Sequence, residues 1–292
     1  MTQVKQRPAG ITRDFDALAA RIKEIAGERP LVFVLNPGNW GDSLIRAGAE
    51  AFLQHHGFRY HPISLREFRR GKVSLPDLRR QLGHDDPVML FNGNGAMNAL
   101  YERMPLIASI TLHFTTSIFL PATFASPPSD FGFAPGCHFF VRDQQQSRQI
   151  LPDAPFCHDM AFFLTPPDPG KGQGTGLMFR HDREAPEGQR IPRGNVDLSA
   201  KGRTETSIDG FLARIAKFET IHTNRLHVGI GAALLGRPTF IYANGYFKNQ
   251  AIFTSSLQPY FPNVSFADSY AVADGDVEPA LTGKFRRLLG LA

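Results

Sequence analysis

The feature that most constrains this fold is a five-residue apolar run, Leu31 to Leu35, that passes straight into a glycine-containing loop and then a helical pattern. Leu-Val-Phe-Val-Leu offers no polar side of a pleat, so it reads as a strand covered on both faces, the condition of a parallel strand inside an α/β sheet. The loop is NPGNWGDSLI, Asn36 to Ile45, and the helical pattern continues through Phe52. A strand, loop and helix in this order set the loop at the carboxyl edge of the sheet, where open α/β sheets bind ligands. The loop has neither G-x-G-x-x-G spacing nor a phosphate-loop lysine, so no dinucleotide or nucleoside triphosphate is indicated. Asp42, at its end, is placed either to cap the helix or to act on a ligand.

The unit recurs along the chain. A helix over Asp14 to Ala26 precedes the first strand, His61 to Ser64 is a candidate second strand, and Pro87 to Phe91 is another short apolar strand ending in NGNGAMNAL, Asn92 to Leu100. Ile118 to Pro121 and Phe139 to Val141 read as strands, Asp143 as a helix start, and HDMAFFL, His158 to Leu164, as a return to strand. TPPDPGKGQGTG, Thr165 to Gly176, is dense in Pro and Gly and reads as a linker, giving an N-terminal α/β domain over 1–165 and a C-terminal α/β domain over 166–292. The second half opens with GLMFR, Gly176 to Arg180, a strand ending in an arginine, and Phe211 to Phe218 reads as its first helix. The expected architecture is two Rossmann-like domains facing across a cleft.

The densest polar cluster lies in IHTNRLHVGIGAALLGRPTFIYANGYFKN, Ile221 to Asn249. His222, Thr223, Asn224, Arg225 and His227 crowd together just before Val228 to Leu235, which are all Gly, Ala or aliphatic. A single Arg or His near a helix start is commonly a solvated or capping group. Arg-x-His at the mouth of a helix of small residues points further, because a helix N-terminus holds anions and small residues admit close approach. Gly236 and Pro238 close that helix, Thr239 to Tyr242 reads as a buried strand, and Ala243 to Asn249 as the loop at its end.

Hydrophobic residues at 42% and charged residues at 20% exclude a disordered chain, and a net charge of +5 is modest. The one local basic cluster, Arg66, Arg69, Arg70, Lys72, Arg79 and Arg80, could meet an anionic glycan, a membrane surface or nucleic acid, but a solvated helical face explains it more simply. No nucleic-acid partner is expected. Cys137 and Cys157 have neither metal-site spacing nor the number of a disulfide framework, and no segment reads as a signal peptide or a membrane span, so the cytoplasm is the expected compartment.

NPGNWGDSLI, FNGNGAMN, the strand-end arginine of LMFRHDRE, and TNRLHVGIGAALLGRP followed by NGYFKN occur in that order, and together they resemble the polysaccharide pyruvyl transferase family. Where many members carry three successive glycines, this chain has Asn92-Gly93-Asn94-Gly95, a departure on the acceptor side. The resemblance implies a two-domain fold of the glycosyltransferase-B kind and transfer of pyruvate from phosphoenolpyruvate to a sugar of a polysaccharide or its precursor, giving a ketal and phosphate. It implies an acceptor-side first domain and a phosphoenolpyruvate-binding second domain. Arg180, Arg225, Leu226 and Lys248 are then expected on phosphoenolpyruvate, His227 as the acid, and Asp42 as donor-positioning group or base. Asn39, Gly41, Asn92, Gly93, Asn94, Gly95 and Asn249 are expected in substrate loops. No metal or cofactor is required, phosphoenolpyruvate being a co-substrate. The acceptor is a sugar, with lipid-linked oligosaccharide and peripheral contact with the inner membrane within expectation. Two other readings stay open: a nucleotide-sugar-dependent glycosyltransferase of the same fold, and a catalytically inactive sugar-binding relative.

Overall fold

A computed structural model describes residues 6–95, 97 and 103–277. Its first sheet has five parallel strands: β1 (Leu31–Leu35), β2 (Tyr60–Ser64), β3 (Val88–Phe91), β4 (Ser117–Ala122) and β5 (Cys137–Val141), in the order β2-β1-β3-β4-β5. The second has four, β6 (Thr175–Met178), β7 (Thr220–Thr223), β8 (Thr239–Tyr242) and β9 (Val264–Ala267), side by side in chain order and again parallel. The chain is therefore mixed α/β with parallel sheets, as its uninterrupted apolar strands require.

The unbroken character of β1 has its physical reason in the core. Leu31 and Phe33 enter one apolar cluster, Val32 and Val34 the other, and Val88 and Leu90 of β3 divide from Met89 and Phe91 in the same way. Helix α1 (Ala9–Ala26) lays Ile11, Phe15, Leu18 and Ile22 into the first cluster, and α2 (Trp40–His55) adds Leu44, Ile45, Ala49, Phe52 and Leu53. That cluster does not stop at the first sheet. It runs on through Met160 and Phe162 to Met178, Ile221, Ile230, Ile241 and Val264 of the second half. Helix α7 (Asp209–Ala216) contributes Phe211 and Ile215, and α8 (Leu226–Leu234) contributes Leu226, Val228 and Ile230.

Two glycines make the approach between elements possible. A Cβ on Gly48, inside α2, would stand 1.9 Å from the carbonyl oxygen of Met160, so the helix lies directly on the backbone of the Met160–Phe163 turn. A Cβ on Gly202 would stand 2.5 Å from the Trp40 ring, whose Nε1 donates to Ser207 O at 2.8 Å. Trp40 also packs on Phe211 with ring centroids 5.6 Å apart.

Several local expectations need correction. His158 to Leu164 is not a strand: Met160–Phe163 is a 3-10 turn, because the Asp159 side chain accepts from Ala161 N at 2.9 Å and turns the chain. The helix expected from Asp143 is α6 (Gln146–Ile150), with Asp143 outside it as an acceptor for Gln145 N and Ser147 N. The basic cluster is divided between α3 (Leu65–Arg69) and α4 (Leu75–Leu82) by Gly71, at φ +65°, and the Ser74 cap. α8 begins at Leu226, so His227 belongs to its first turn and does not precede the helix. The loop after β8 is shorter than expected, since α9 (Lys248–Ile252) already contains Lys248 and Asn249. The irregular Pro/Gly-rich segment ends where β6 opens at Thr175. The far end of the NGNGAMNAL loop, 98–100, lies outside the described residues. No helix among the described residues is long and apolar enough to cross a membrane. Cys137 and Cys157 are free thiols.

Candidate functional site

The carboxyl ends of both sheets open on one pocket of about 230 Å³. From the first sheet come Asn36 to Asn39 and Asp42 after β1, Gly95 after β3 and Arg142 after β5; from the second come Arg180, Asp182 and Glu184 after β6, Arg225, Leu226 and His227 after β7, and Lys248 after β8.

Local chemistry fixes each wall. At the start of α2, Asn39 Oδ1 accepts from Gly41 N at 2.7 Å while Asp42 Oδ2 accepts from Asn39 N at 2.8 Å, closing a reciprocal capping box. Asp42 therefore has a visible structural task as well as a place on the pocket wall. Opposite it, Thr223 at the end of β7 donates to Met178 O at 2.6 Å and accepts from Arg225 N at 2.9 Å, which turns the chain out of the strand. Asn224 accepts from Arg180 N at 2.9 Å and donates to Gln189 at 2.6 Å, tying the loops after β6 and β7 together. Arg225, extended at φ −87° and ψ 108°, is the residue before α8, and His227 follows in the first turn.

The cations of the pocket are buried and gripped by carboxylates. Arg180 is 3% exposed, Arg225 5% and Lys248 7%. Arg180 donates to both oxygens of Asp182, at 2.7 and 3.1 Å, and to Glu184 at 2.6 Å; Arg225 reaches Asp182 at 2.6 Å and makes a fork onto Asp197 at 2.8 and 2.5 Å. Lys248 is paired with Glu184. Burial would raise the Asp182 carboxyl, but the Arg180 hydrogen bonds and the Arg225 charge outweigh it and hold it down to about 2. Burial also lowers the Lys248 ammonium, to about 8, with Glu184 only partly restoring it.

His227 is held on two sides. Its Nε2 lies 3.4 Å from Asp159 Oδ2, and its Nδ1 lies over Gly41, where a Cβ would be 2.8 Å away. Asp159 is fully buried and is also paired with Arg142 Nη1 at 2.5 Å. Burial alone would raise the Asp159 carboxyl; Arg142 and His227 overcome that and hold it well below the usual carboxylate range.

Of the residues expected from the sequence, the pocket brings together Asp42, Asn39, Gly95, Arg180, Arg225, Leu226, His227 and Lys248. Gly41 packs beside Nδ1 of the His227 ring and is not in the lining. Asn92, Gly93 and Asn94 do not line it either; Gly93 is pressed on the backbone of β4, a Cβ there falling 2.3 Å from Pro121 O. Asn249 is fully buried and bridges Asn224 O and Tyr242 O at 2.8 Å each, so it holds two loops together from behind. His222 is not in the lining, and its Nδ1 lies 2.8 Å from the Tyr242 hydroxyl. Arg103, Arg142, Asp159, Asp182, Glu184 and Asp197 were missed. Arg142 carried the same signal as Arg180, an arginine ending an apolar strand, and Asp159 was a carboxylate inside an apolar run that a buried site must neutralise. Among the described residues, no group of three His, Cys, Asp or Glu side chains is arranged to hold a metal ion.

A family model described as polysaccharide pyruvyl transferase matches residues 39–246. Among solved structures, a functionally uncharacterised protein from Klebsiella pneumoniae subsp. pneumoniae NTUH-K2044 is 22% identical, with 90% of this chain and 100% of that chain covered and a TM-score of 0.68, a likeness of fold. The E. coli heptosyltransferase WaaC with ADP aligns at 14% identity over 89% of this chain and 98% of its own, with a TM-score of only 0.37. Comparison with curated proteins found no match.

Proposed function

This chain belongs to the polysaccharide pyruvyl transferase family, and from that premise we propose that it transfers pyruvate from phosphoenolpyruvate to two hydroxyls of a sugar, forming a ketal and releasing phosphate. One observation carries the reading: Arg180, Arg225 and Lys248, each less than a tenth exposed, open on a single pocket beside His227. A small ligand bearing both a phosphate and a carboxylate needs cations from more than one direction, and planar guanidinium forks meet such groups two bonds at a time. Asp182, held by both arginines, occupies the place such an anion would compete for.

In the proposed reaction the His227 imidazolium gives a proton to the methylene carbon of phosphoenolpyruvate, which becomes a methyl group and leaves positive charge at the adjacent carbon. A sugar hydroxyl adds there and loses its proton to Asp42, from which the proton returns to His227. The carbon–oxygen bond to phosphate then breaks with its electron pair on the phosphate, stabilised by Arg180, Arg225 and Lys248. The second hydroxyl adds to the same carbon, and its proton leaves as part of hydrogen phosphate. Leu226 contributes the apolar wall, and no cofactor enters the scheme.

The two sheets are, in this reading, the acceptor side (1–165) and the donor side (166–292) of a glycosyltransferase-B-like cleft. The activity belongs to the cytoplasm, at the inner membrane surface when the acceptor is lipid-linked. Incubation with phosphoenolpyruvate and a panel of synthetic and lipid-linked glycosides tests the proposal. Phosphate release matched by a product carrying one pyruvate ketal supports it. Turnover of nucleotide sugars with no use of phosphoenolpyruvate overturns it.

A further inference from the structure

Arg142 is the largest fully buried side chain among the described residues. Its Nε donates to Thr123 Oγ1 at 2.8 Å and its Nη1 to Asp159 Oδ2 at 2.5 Å, whereas its buried Nη2 has no hydrogen-bond partner among the described residues. A buried donor left without an acceptor is costly, and a native fold rarely leaves one without a purpose. The unmatched nitrogen is at the pocket wall: Arg142 belongs to the lining, and a Cβ on neighbouring Gly95 would come 3.0 Å from Nη2 and 3.4 Å from Lys248 Cδ. Glycine at 95 keeps clear the approach to a donor beside the Lys248 side chain.

The other arm of the guanidinium leads to His227. Asp159 has no exposed surface, its Oδ1 is fixed by Ala161 N at 2.9 Å, and its Oδ2 meets both Arg142 Nη1 and His227 Nε2. A fully buried carboxylate so held orients an imidazole by accepting from one ring nitrogen, which leaves the other for proton exchange. Here the nitrogen left over is Nδ1, above Gly41.

We propose that Arg142 serves the pocket with both arms: Nη2 donates to an anionic oxygen of phosphoenolpyruvate, and Nη1, through Asp159, holds Nε2 of the His227 ring and so leaves Nδ1 as the nitrogen that exchanges the proton. This rests on the donor assignment above and extends it with a third arginine and a positioning carboxylate. It makes donor capture and the setting of the acid properties of one rigid residue.

The test uses Arg142→Lys, Gly95→Ala and Asp159→Asn, with phosphoenolpyruvate and inorganic phosphate as separate calorimetric probes and nitrogen NMR of the His227 ring. Arg142→Lys and Gly95→Ala should each weaken phosphoenolpyruvate binding by roughly 10- to 100-fold, as for loss of a charge-assisted hydrogen bond. Gly95→Ala does so with the Arg142–Asp159 pair intact, so a folding defect in the lysine variant leaves the test standing. Asp159→Asn should remove the preference for the Nε2-protonated tautomer and lower kcat, whatever it does to affinity through its contact with Arg142. Unchanged affinity in a folded Gly95→Ala protein overturns the donor arm, ordered water being then the partner of Nη2. An unchanged His227 tautomer in Asp159→Asn overturns the positioning arm. Wild-type protein that ignores phosphoenolpyruvate yet loses inorganic phosphate binding in Gly95→Ala would refute the proposed substrate while upholding Arg142 as an anion donor.

Discussion

His227 occupies the space that a side chain at Gly41 would need: a Cβ there would stand 2.8 Å from the imidazole Nδ1 and 3.0 Å from the His227 Cβ. The first turn of α2 and the first turn of α8 thus meet at a glycine and a histidine, one from each half of the chain. Gly41→Ala should displace the ring at a cost of about 1–3 kcal/mol, the usual range for overpacking. The variant should lose far more turnover than donor affinity. Equal turnover in wild type and variant would show that the position of the ring does not matter.

His227 itself is the proposed proton donor. His227→Gln should keep phosphoenolpyruvate binding within about tenfold but reduce turnover by roughly 10²–10⁴, as expected for loss of a general acid. Steady-state kinetics beside calorimetry separates the two quantities. A loss confined to affinity would make His227 a ligand and require another acid.

Arg225 links the site to its supports, because it grips both Asp182 and Asp197. Arg225→Ala should weaken phosphoenolpyruvate binding by roughly 2–4 kcal/mol, since the truncation leaves nearly buried Asp197 without this partner and removes a donor. Arg180→Lys should also impair binding, because an ammonium cannot reproduce the fork that Arg180 makes on Asp182. Undiminished affinity in either folded variant, measured by calorimetry, would remove that arginine from the donor site.

Lys248 gives the site an alkaline limit. With its ammonium lowered by burial to about 8, a rise in pH through that value removes a proton and a positive charge from the free protein. Phosphoenolpyruvate affinity should therefore fall as pH rises through about 8, and Lys248→Met should bind more weakly at neutral pH and lose this step. A wild-type affinity that stays level from pH 7 to 10, roughly the span over which such a group titrates, would show that the ammonium does not contact the donor.

Gly48 tests the packing that supports the site. A Cβ placed 1.9 Å from Met160 O must push α2 off the turn that follows Asp159. Gly48→Ala should destabilise the protein by about 3 kcal/mol, at the upper end of overpacking effects, with the shift read from the urea midpoint. An unchanged midpoint would show that the two segments separate readily.

Much of this was legible along the chain because strands buried on both faces write uninterrupted apolar runs. Leu31–Leu35 and Thr239–Tyr242 have the bounds expected from sequence, and the arginines and glycines at strand ends lie at the carboxyl edges. What escaped was what depends on contacts distant in sequence. Asp159 sits in an apolar run that looked like strand, and only the folded chain brings Arg142 and His227 onto it. The family resemblance places Asn249 in a substrate loop; its partners, Asn224 O and Tyr242 O, are backbone carbonyls that no side-chain pattern advertises. The Pro/Gly-rich segment lies between β5 and β6 in the chain and says nothing of the apolar cluster that continues across it.

That continuous cluster makes the covalent tether between the sheets mechanically redundant. Phe52, Met160, Phe162, Ile230 and Ile252 belong to one apolar body whichever side of the Pro/Gly-rich segment they come from. A protease that nicks the exposed stretch around Pro169 would sever the chain without freeing either piece. The fragments should travel together as a noncovalent heterodimer until a denaturant melts the core they share.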